Sequence, residues 1–268
     1  MFARSKSLLL ASTLLLAATA VLPNAANATV VRVETVMGDF EINLYDNATP
    51  ATVANFLSYV QVGDYTDSIF HRSVTNFIVQ SGGFRTDLNA DLNSIPANPA
   101  VTNEPVYSSV RGTIAMAKLG GDPNSATNQW FINLTNNAAA LDDQNGGFTV
   151  FGEVTGAGMD VVDAIAALPK FAFAAPFGEL PLQNYSSTDF TNAVGVDNTN
   201  LIIVRNILVI DTAVDSAGAA GLTPTPTTAG GTGGGTTPPP STSGGGGGGA
   251  FSLIALFGLL LMNRKRFL

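Results

Sequence analysis

The chain carries one histidine and no cysteine. That histidine, His71, lies in the run IFHRSVTNFIVQSGG (residues 69–83), directly before Arg72. One imidazole and no thiol leave little material for a zinc centre or a cysteine nucleophile. The run is strand-like and apolar, yet it holds a cation at Arg72 and an amide, Gln80, eight residues on. Side chains alternate along a strand, so His71 and Arg72 point to opposite faces. Arg72 presents donors in a rigid, permanently charged fork. A fixed donor of that kind, in a water-poor pocket, stabilises charge or a lone pair that develops on a reacting group. Arg72 can serve as such a donor or stand as a solvated arginine on an edge strand; where Arg72 faces a ligand, His71 is expected to pack and hydrogen-bond beside the site.

These residues need a scaffold. The runs VVRVETV (30–36) and FEINLY (40–45) are β-rich and joined through Met37-Gly38-Asp39, which predicts a hairpin. ATPATVANFLSYVQVG predicts a helix: Thr49 can cap it, Pro50 suits its first turn, Gly63 its stop, and Val53, Phe56, Leu57 and Val60 give an apolar face. Residues 69–74, 77–80, 112–117, 129–133, 148–152 and 201–211 read as strands. GMDVVDAIAAL (158–168) predicts a second helix with Val161, Val162, Ile165 and Leu168 inward. Residues 169–198 follow no period and read as a long excursion before the last strand. Two helices among seven or eight strands predict a closed β-barrel with helical caps.

Both ends read differently from this body. Residues 1–28 have Arg4 and Lys6, a mostly apolar stretch from Leu8 to Leu22, and Ala26-Asn27-Ala28 at a cleavage position. This pattern predicts a signal peptide removed by signal peptidase, with a retained anchor as the alternative. Residues 213–249, rich in Gly, Thr and Pro, predict a disordered linker. Residues 250–268 join a 13-residue apolar run, Ala250 to Met262, to Arg264, Lys265 and Arg266. As a helix that run spans roughly 20 Å, short of the roughly 30 Å hydrocarbon core. Glycine run, short apolar helix and basic cluster resemble the GlyGly-CTERM sorting tags of Gram-negative bacteria, which a rhomboid-type intramembrane protease cuts. An uncut anchor is the alternative. Membrane contact is expected only through residues 250–268, and location in the periplasm or at the cell surface.

Residues 29–212 then form the folded domain. Five of the 12 Lys and Arg and one of the 20 Asp and Glu fall outside it, leaving 7 basic against 19 acidic residues and a net charge of −12. Such a surface argues against nucleic-acid binding. Without cysteine the core alone must hold the fold, and the length is ample for one domain.

Three stretches together resemble the cyclophilins: TVANFLSYVQVGDYTDSIFHRSVTNFIVQSGG, GTIAMAKLGGDPNSATNQWFINL and LDDQNGGFTVFGEVTGAGMDVVDAI. The resemblance runs from about Val30 to Asp211. It implies a mainly β fold, an eight-stranded closed antiparallel barrel capped by two helices. It also implies a monomer with peptidyl-prolyl cis-trans isomerase activity, no cofactor, and proline-containing unfolded or extended polypeptides as partners. By position it makes Arg72 and Gln80 catalytic. Phe77, Ile78, Ala117, Lys118, Gln129, Phe131, Leu141 and Phe148 become substrate-binding, with His71 in support. The sequence departs from the family in places. Ile78 stands for the usual methionine, Lys118 for asparagine, Asn128 for a small residue, and Phe148 for the histidine of many members. Ala140 stands where cyclosporin-sensitive members have tryptophan.

The implied reaction fits these residue types. An X–Pro bond rotates over a barrier near 20 kcal/mol because twisting breaks amide resonance. The twisted prolyl nitrogen regains its lone pair, so a fixed donor aimed there binds the transition state better than the planar amide. The proline ring needs only an apolar socket. A cyclophilin-fold peptide-binding or chaperone module with little catalysis is the alternative.

Overall fold

The computed structural model describes residues 29–212. The stretches read as signal peptide, linker and sorting tag lie outside the described residues. In chain order the elements are β1 (Val30–Thr35), β2 (Gly38–Leu44), α1 (Pro50–Val62), β3 (Ser68–Ile69), β4 (Arg72–Val74), β5 (Ile78–Ser81), β6 (Phe84–Arg85) and β7 (Asn93–Ser94). Then come β8 (Thr113–Met116), β9 (Trp130–Asn133), α2 (Ala138–Leu141), a 3-10 turn (Gln144–Gly146), β10 (Val150–Val154) and α3 (Gly158–Ala167). The last are β11 (Lys170–Phe171), β12 (Leu180–Pro181), α4 (Ser187–Thr191) and β13 (Ile203–Asp211).

Eleven strands make one sheet in the order β4-β5-β9-β8-β10-β2-β1-β13-β3-β6-β7, and β11 pairs with β12 apart from it. Every paired register is antiparallel. The sheet curls. Its sharpest feature is the stretch 68–74, which pairs with β13 at its start and with β5 at its end. Between the two, Phe70 N–H donates to Ile202 O at 2.9 Å and His71 N–H to Gln80 O at 3.1 Å. The eight runs expected as strands all carry strand structure. The expectation missed β6, β7, β11 and β12, whose two-residue pairings are too short to leave a period in the sequence.

Strand alternation sorts the side chains into two apolar groups. Val79, Ile114, Met116, Trp130 and Ile132 face inward to the main core with Val31, Val33, Phe40, Ile42, Phe56 and Phe151. Their sequence neighbours Ile78, Ala115 and Phe131 face the other way, joining Tyr45, Leu141 and Val150 in a separate cluster. The candidate socket is thus the opposite face of the strands that build the core.

Both expected helices form. Phe56 and Val53 of α1 are buried, with Leu57 and Val60 packed against the core, and Tyr59 is buried too. Gly63 ends the helix in the left-handed conformation, at φ 75°. The expected cap needs correction. Thr49 sits at the N-cap, but its hydroxyl donates to Tyr45 O at 3.2 Å and caps nothing. Instead the Glu104 carboxylate, some fifty residues on, accepts from Ala51 N–H at 3.2 Å and Thr52 N–H at 2.9 Å. α3 lies against β2. A Cβ at Gly158 would come within 2.9 Å of the Phe40 Cβ, so the glycine permits that approach.

The excursion is structured. The β11–β12 pair is followed by α4, which starts with a reciprocal cap between Ser186 and Asp189. Phe171, Phe177, Leu180, Leu182 and Tyr185 form a third apolar cluster with Ile69 and Leu201.

Candidate active site

Strand register assembles the site. Arg72 of β4 faces Gln80 of β5, Gln80 faces Phe131 of β9, Phe131 faces Ala115 of β8, and Ala115 faces Val150 of β10. Residues directly opposed in antiparallel strands share a face. A lateral row therefore runs from a guanidinium through an amide to an aromatic ring and then to small and branched apolar groups.

The polar end of the row is held by hydrogen bonds. Arg72 Nη1 donates to Gln80 Oε1 at a long 3.5 Å, and Gln80 Nε2 donates to Gln129 Oε1 at 2.8 Å. Gln80 is buried, whereas the Arg72 side chain stays 27% exposed, open to a ligand. Gln129 lies over Gly83, where a Cβ would meet the Gln129 side chain at 2.7 Å. The glycine pair closing the motif thus makes room for the second amide.

The apolar end gathers most of the expected socket. Ile78, Phe131, Leu141 and Ala117 are buried in one cluster, against which Phe77 and Phe148 pack while partly exposed. Phe77 comes from the turn between β4 and β5, and Phe148 from the stretch just before β10. Phe148 meets Phe131 edge-on, with centroids 5.7 Å apart. Ala140 is exposed in α2, beside buried Leu141. Its methyl supplies no aromatic wall.

Lys118 behaves unlike a surface cation. Its ammonium lies 4.7 Å from the centre of the Phe148 ring and donates to Asn145 O at 2.9 Å and to Gly147 O. Burial lowers its pKa to about 8. The side chain therefore ties down the loop that delivers Phe148.

His71 is turned away from the row. It is buried, its ring meets Phe84 edge-on at 5.0 Å, and its Nδ1 has no hydrogen-bond partner. Burial, with Arg72 nearby, pushes its pKa down to about 4. An imidazole neutral at pH 7 adds packing but no charge.

One neighbour was not foreseen. Glu179, from the excursion, accepts from Arg72 Nε at 2.9 Å. Nothing in the aperiodic 169–198 stretch marks this carboxylate, because only the tertiary path brings it to β4. Two open clefts of about 420 Å³ lie elsewhere. One sits beside the Arg111–Asp163 ion pair and the other beside Arg85 and Asp87. Neither includes a residue of the row.

Comparison with known proteins places the chain in a family. The family model of cyclophilin type peptidyl-prolyl cis-trans isomerases matches residues 30–185. A peptidyl-prolyl cis-trans isomerase of Acinetobacter baylyi is 40% identical over 146 residues, covering 54% of this chain and 76% of that protein. Peptidyl-prolyl cis-trans isomerase A of Dickeya dadantii is 40% identical over 167 residues, covering 60% and 85%. A crystal structure of a cyclophilin type isomerase from Cryptosporidium parvum aligns with a TM-score of 0.49 at 24% identity, over 69% of this chain and 98% of that one. With the family matched over more than half of its length, the chain belongs to the cyclophilin type peptidyl-prolyl cis-trans isomerases.

Proposed function

We propose that the Arg72 face of the sheet binds extended, proline-containing polypeptide and speeds X–Pro rotation by stabilising the twisted amide. The observation that carries this reading is a single row with a held guanidinium at one end and an apolar socket at the other. The proline ring rests among Phe77, Ile78, Phe131, Leu141 and Phe148. Arg72 directs a free guanidinium N–H at the prolyl nitrogen as it regains its lone pair. Gln80 orients Arg72 and, with Gln129, contacts the peptide backbone. Ala117 and Lys118 contribute main chain along the groove. No proton transfer, nucleophile or cofactor is needed, because rotation breaks no σ-bond.

The reading extends to the fold and the location. The stretch 68–74, paired at its two ends, joins the flanks of the curled sheet into a closed barrel of eight long strands. Signal-like residues 1–28 export the chain, and residues 213–268 tether it or present it for cutting. The clients are then exported proteins.

The test is a protease-coupled isomerisation assay on a Pro peptide. The wild-type chain should accelerate cis-to-trans conversion. Arg72→Ala should lose roughly 100- to 1000-fold in kcat/KM, as removal of one transition-state donor typically does, with the circular-dichroism spectrum unchanged. A folded Arg72→Ala variant at the wild-type rate would remove the assigned role. A wild-type chain that binds the peptide without acceleration would leave the binding-module reading.

A further inference from the structure

We infer that Glu179 is a positioning residue for Arg72, and that the excursion is built to hold it there. This rests on the reading of Arg72 as the donor to the prolyl nitrogen.

The carboxylate takes Arg72 Nε at 2.9 Å, while Gln80 takes Nη1 from the other side. Held at both points, the guanidinium plane loses its rotation about the last side-chain bonds. Among the described residues the hydrogen bonds of the guanidinium run from Nε and Nη1, and Nη2 is the donor left for a ligand. A donor fixed before the reaction costs no reorganisation when the amide twists. Glu179 takes the Nε–H and leaves the outer, end-on face of the guanidinium without a carboxylate, which is the arrangement of a brace. A brake would occupy the donor itself.

Glu179 is fixed by one backbone contact of its own and by two made by its neighbours. Its carbonyl accepts from Ser73 N–H at 2.8 Å, so the same residue covers the outer edge of β4 and grips the side chain next to it. The next residue, Leu180, is buried in the excursion's cluster and pairs with Phe171. Two residues before it, Phe177 meets Phe84 edge-on at 5.0 Å, and Phe84 in turn meets His71. The path Phe177–Phe84–His71 ends beside Arg72 in sequence, so the excursion and the catalytic strand share one packed unit. A surface ion pair between two free side chains is worth little. Here the backbone and flanking residues of Glu179 are already immobilised, so only its side-chain torsions remain to be ordered, and the side chain is 43% exposed.

The experiment uses the full chain and compares wild type, Glu179→Ala, Glu179→Gln, Arg72→Ala and the Arg72→Ala/Glu179→Ala double variant. Glu179→Ala is expected to lower kcat about tenfold, with KM within about twofold and an unchanged thermal midpoint. Glu179→Gln keeps an oxygen acceptor for Nε and should recover most of that loss. The double variant should be no slower than Arg72→Ala alone, because the brace has nothing left to hold. A second readout does not depend on residual rate. The Arg72 Nε–H proton should exchange slowly with solvent in wild type and fast in Glu179→Ala. Wild-type or higher turnover in Glu179→Ala overturns the inference, as does equal Nε–H exchange in the two proteins. If Arg72→Ala itself keeps full activity, the fault lies with the proposed function, and the exchange experiment still decides whether the brace exists.

Discussion

Folding strips His71 of almost all its water, and hydrogen bonding to the Ile69 main chain and the Gln129 side chain offsets only part of that loss. Its pKa falls from 6.5 to about 4, so the folded state binds a proton there less readily than the unfolded chain. The contribution to stability is complete above pH 6.5 and is lost as pH falls through about 4. Over that interval the difference is worth about 3 kcal/mol. We therefore expect urea unfolding of wild type to weaken between pH 6.5 and 4 by clearly more than that of His71→Gln, whose amide does not titrate. Parallel pH profiles for the two proteins would show that His71 is not desolvated in solution. At pH 7 the same variant should keep substantial isomerase activity, because the imidazole packs on Phe84 and reaches the row only through Gln129, to which an amide can also bond. The alternation argument from sequence already separated His71 from Arg72. It could not give the depth of burial, which depends on Phe84 and on the excursion behind it.

Among the elements, α1 shows best how distant parts support the site. It has Pro50 in its first turn, no acid there of its own, and an N-cap threonine whose hydroxyl is turned elsewhere. Glu104 supplies both the acceptor and the negative charge that a helix N-terminus favours. Its own N–H donates to Thr149 Oγ1 at 2.7 Å, next to Phe148 of the socket. One residue thus links the helix start to the loop that lines the site. Glu104→Ala should cost about 1 kcal/mol, the usual price of a lost cap, read as a lower denaturant midpoint at unchanged slope. Glu104→Gln should cost less, since an amide oxygen still accepts from one of the two N–H groups. An unaltered midpoint in both would mean that water caps the helix equally well.

For the whole molecule, the proposed export rests on the two unlike ends. With a net charge of −12 over residues 29–212 and no cysteine, the fold depends on core packing alone. The proposed sorting tag makes a sharp prediction. Glycine disfavours helix by about 1 kcal/mol per residue against alanine, so on the proposed reading the glycine run before Ala250 is where an intramembrane protease would cut. Mass spectrometry of the mature protein from native cells should find a C-terminus within or near Gly244–Phe251. Most molecules still ending in Arg266-Phe267-Leu268 would leave a plain anchor. In either case the N-terminus should be Thr29.

The local order of residues was enough to determine the strand runs and both long helices. Each rests on a period of two or 3.6, whereas the link of Arg72 to Gln80 came only through the resemblance. The composition of the socket was legible as well, through the resemblance of three motifs to a family. Tertiary structure decided what depends on contacts between distant segments. It set Ile78 and Phe131 apart from the main core on the outer face of the same strands. It turned Lys118 inward onto the Gly147 loop. It brought Glu104 to the start of α1 and Glu179 to Arg72, across 52 and 107 residues of chain respectively. No local pattern encodes such pairs, because a carboxylate on a loop looks the same whether it meets water or a guanidinium. Only the curl of the sheet and the packing of the excursion against β4 distinguish the two.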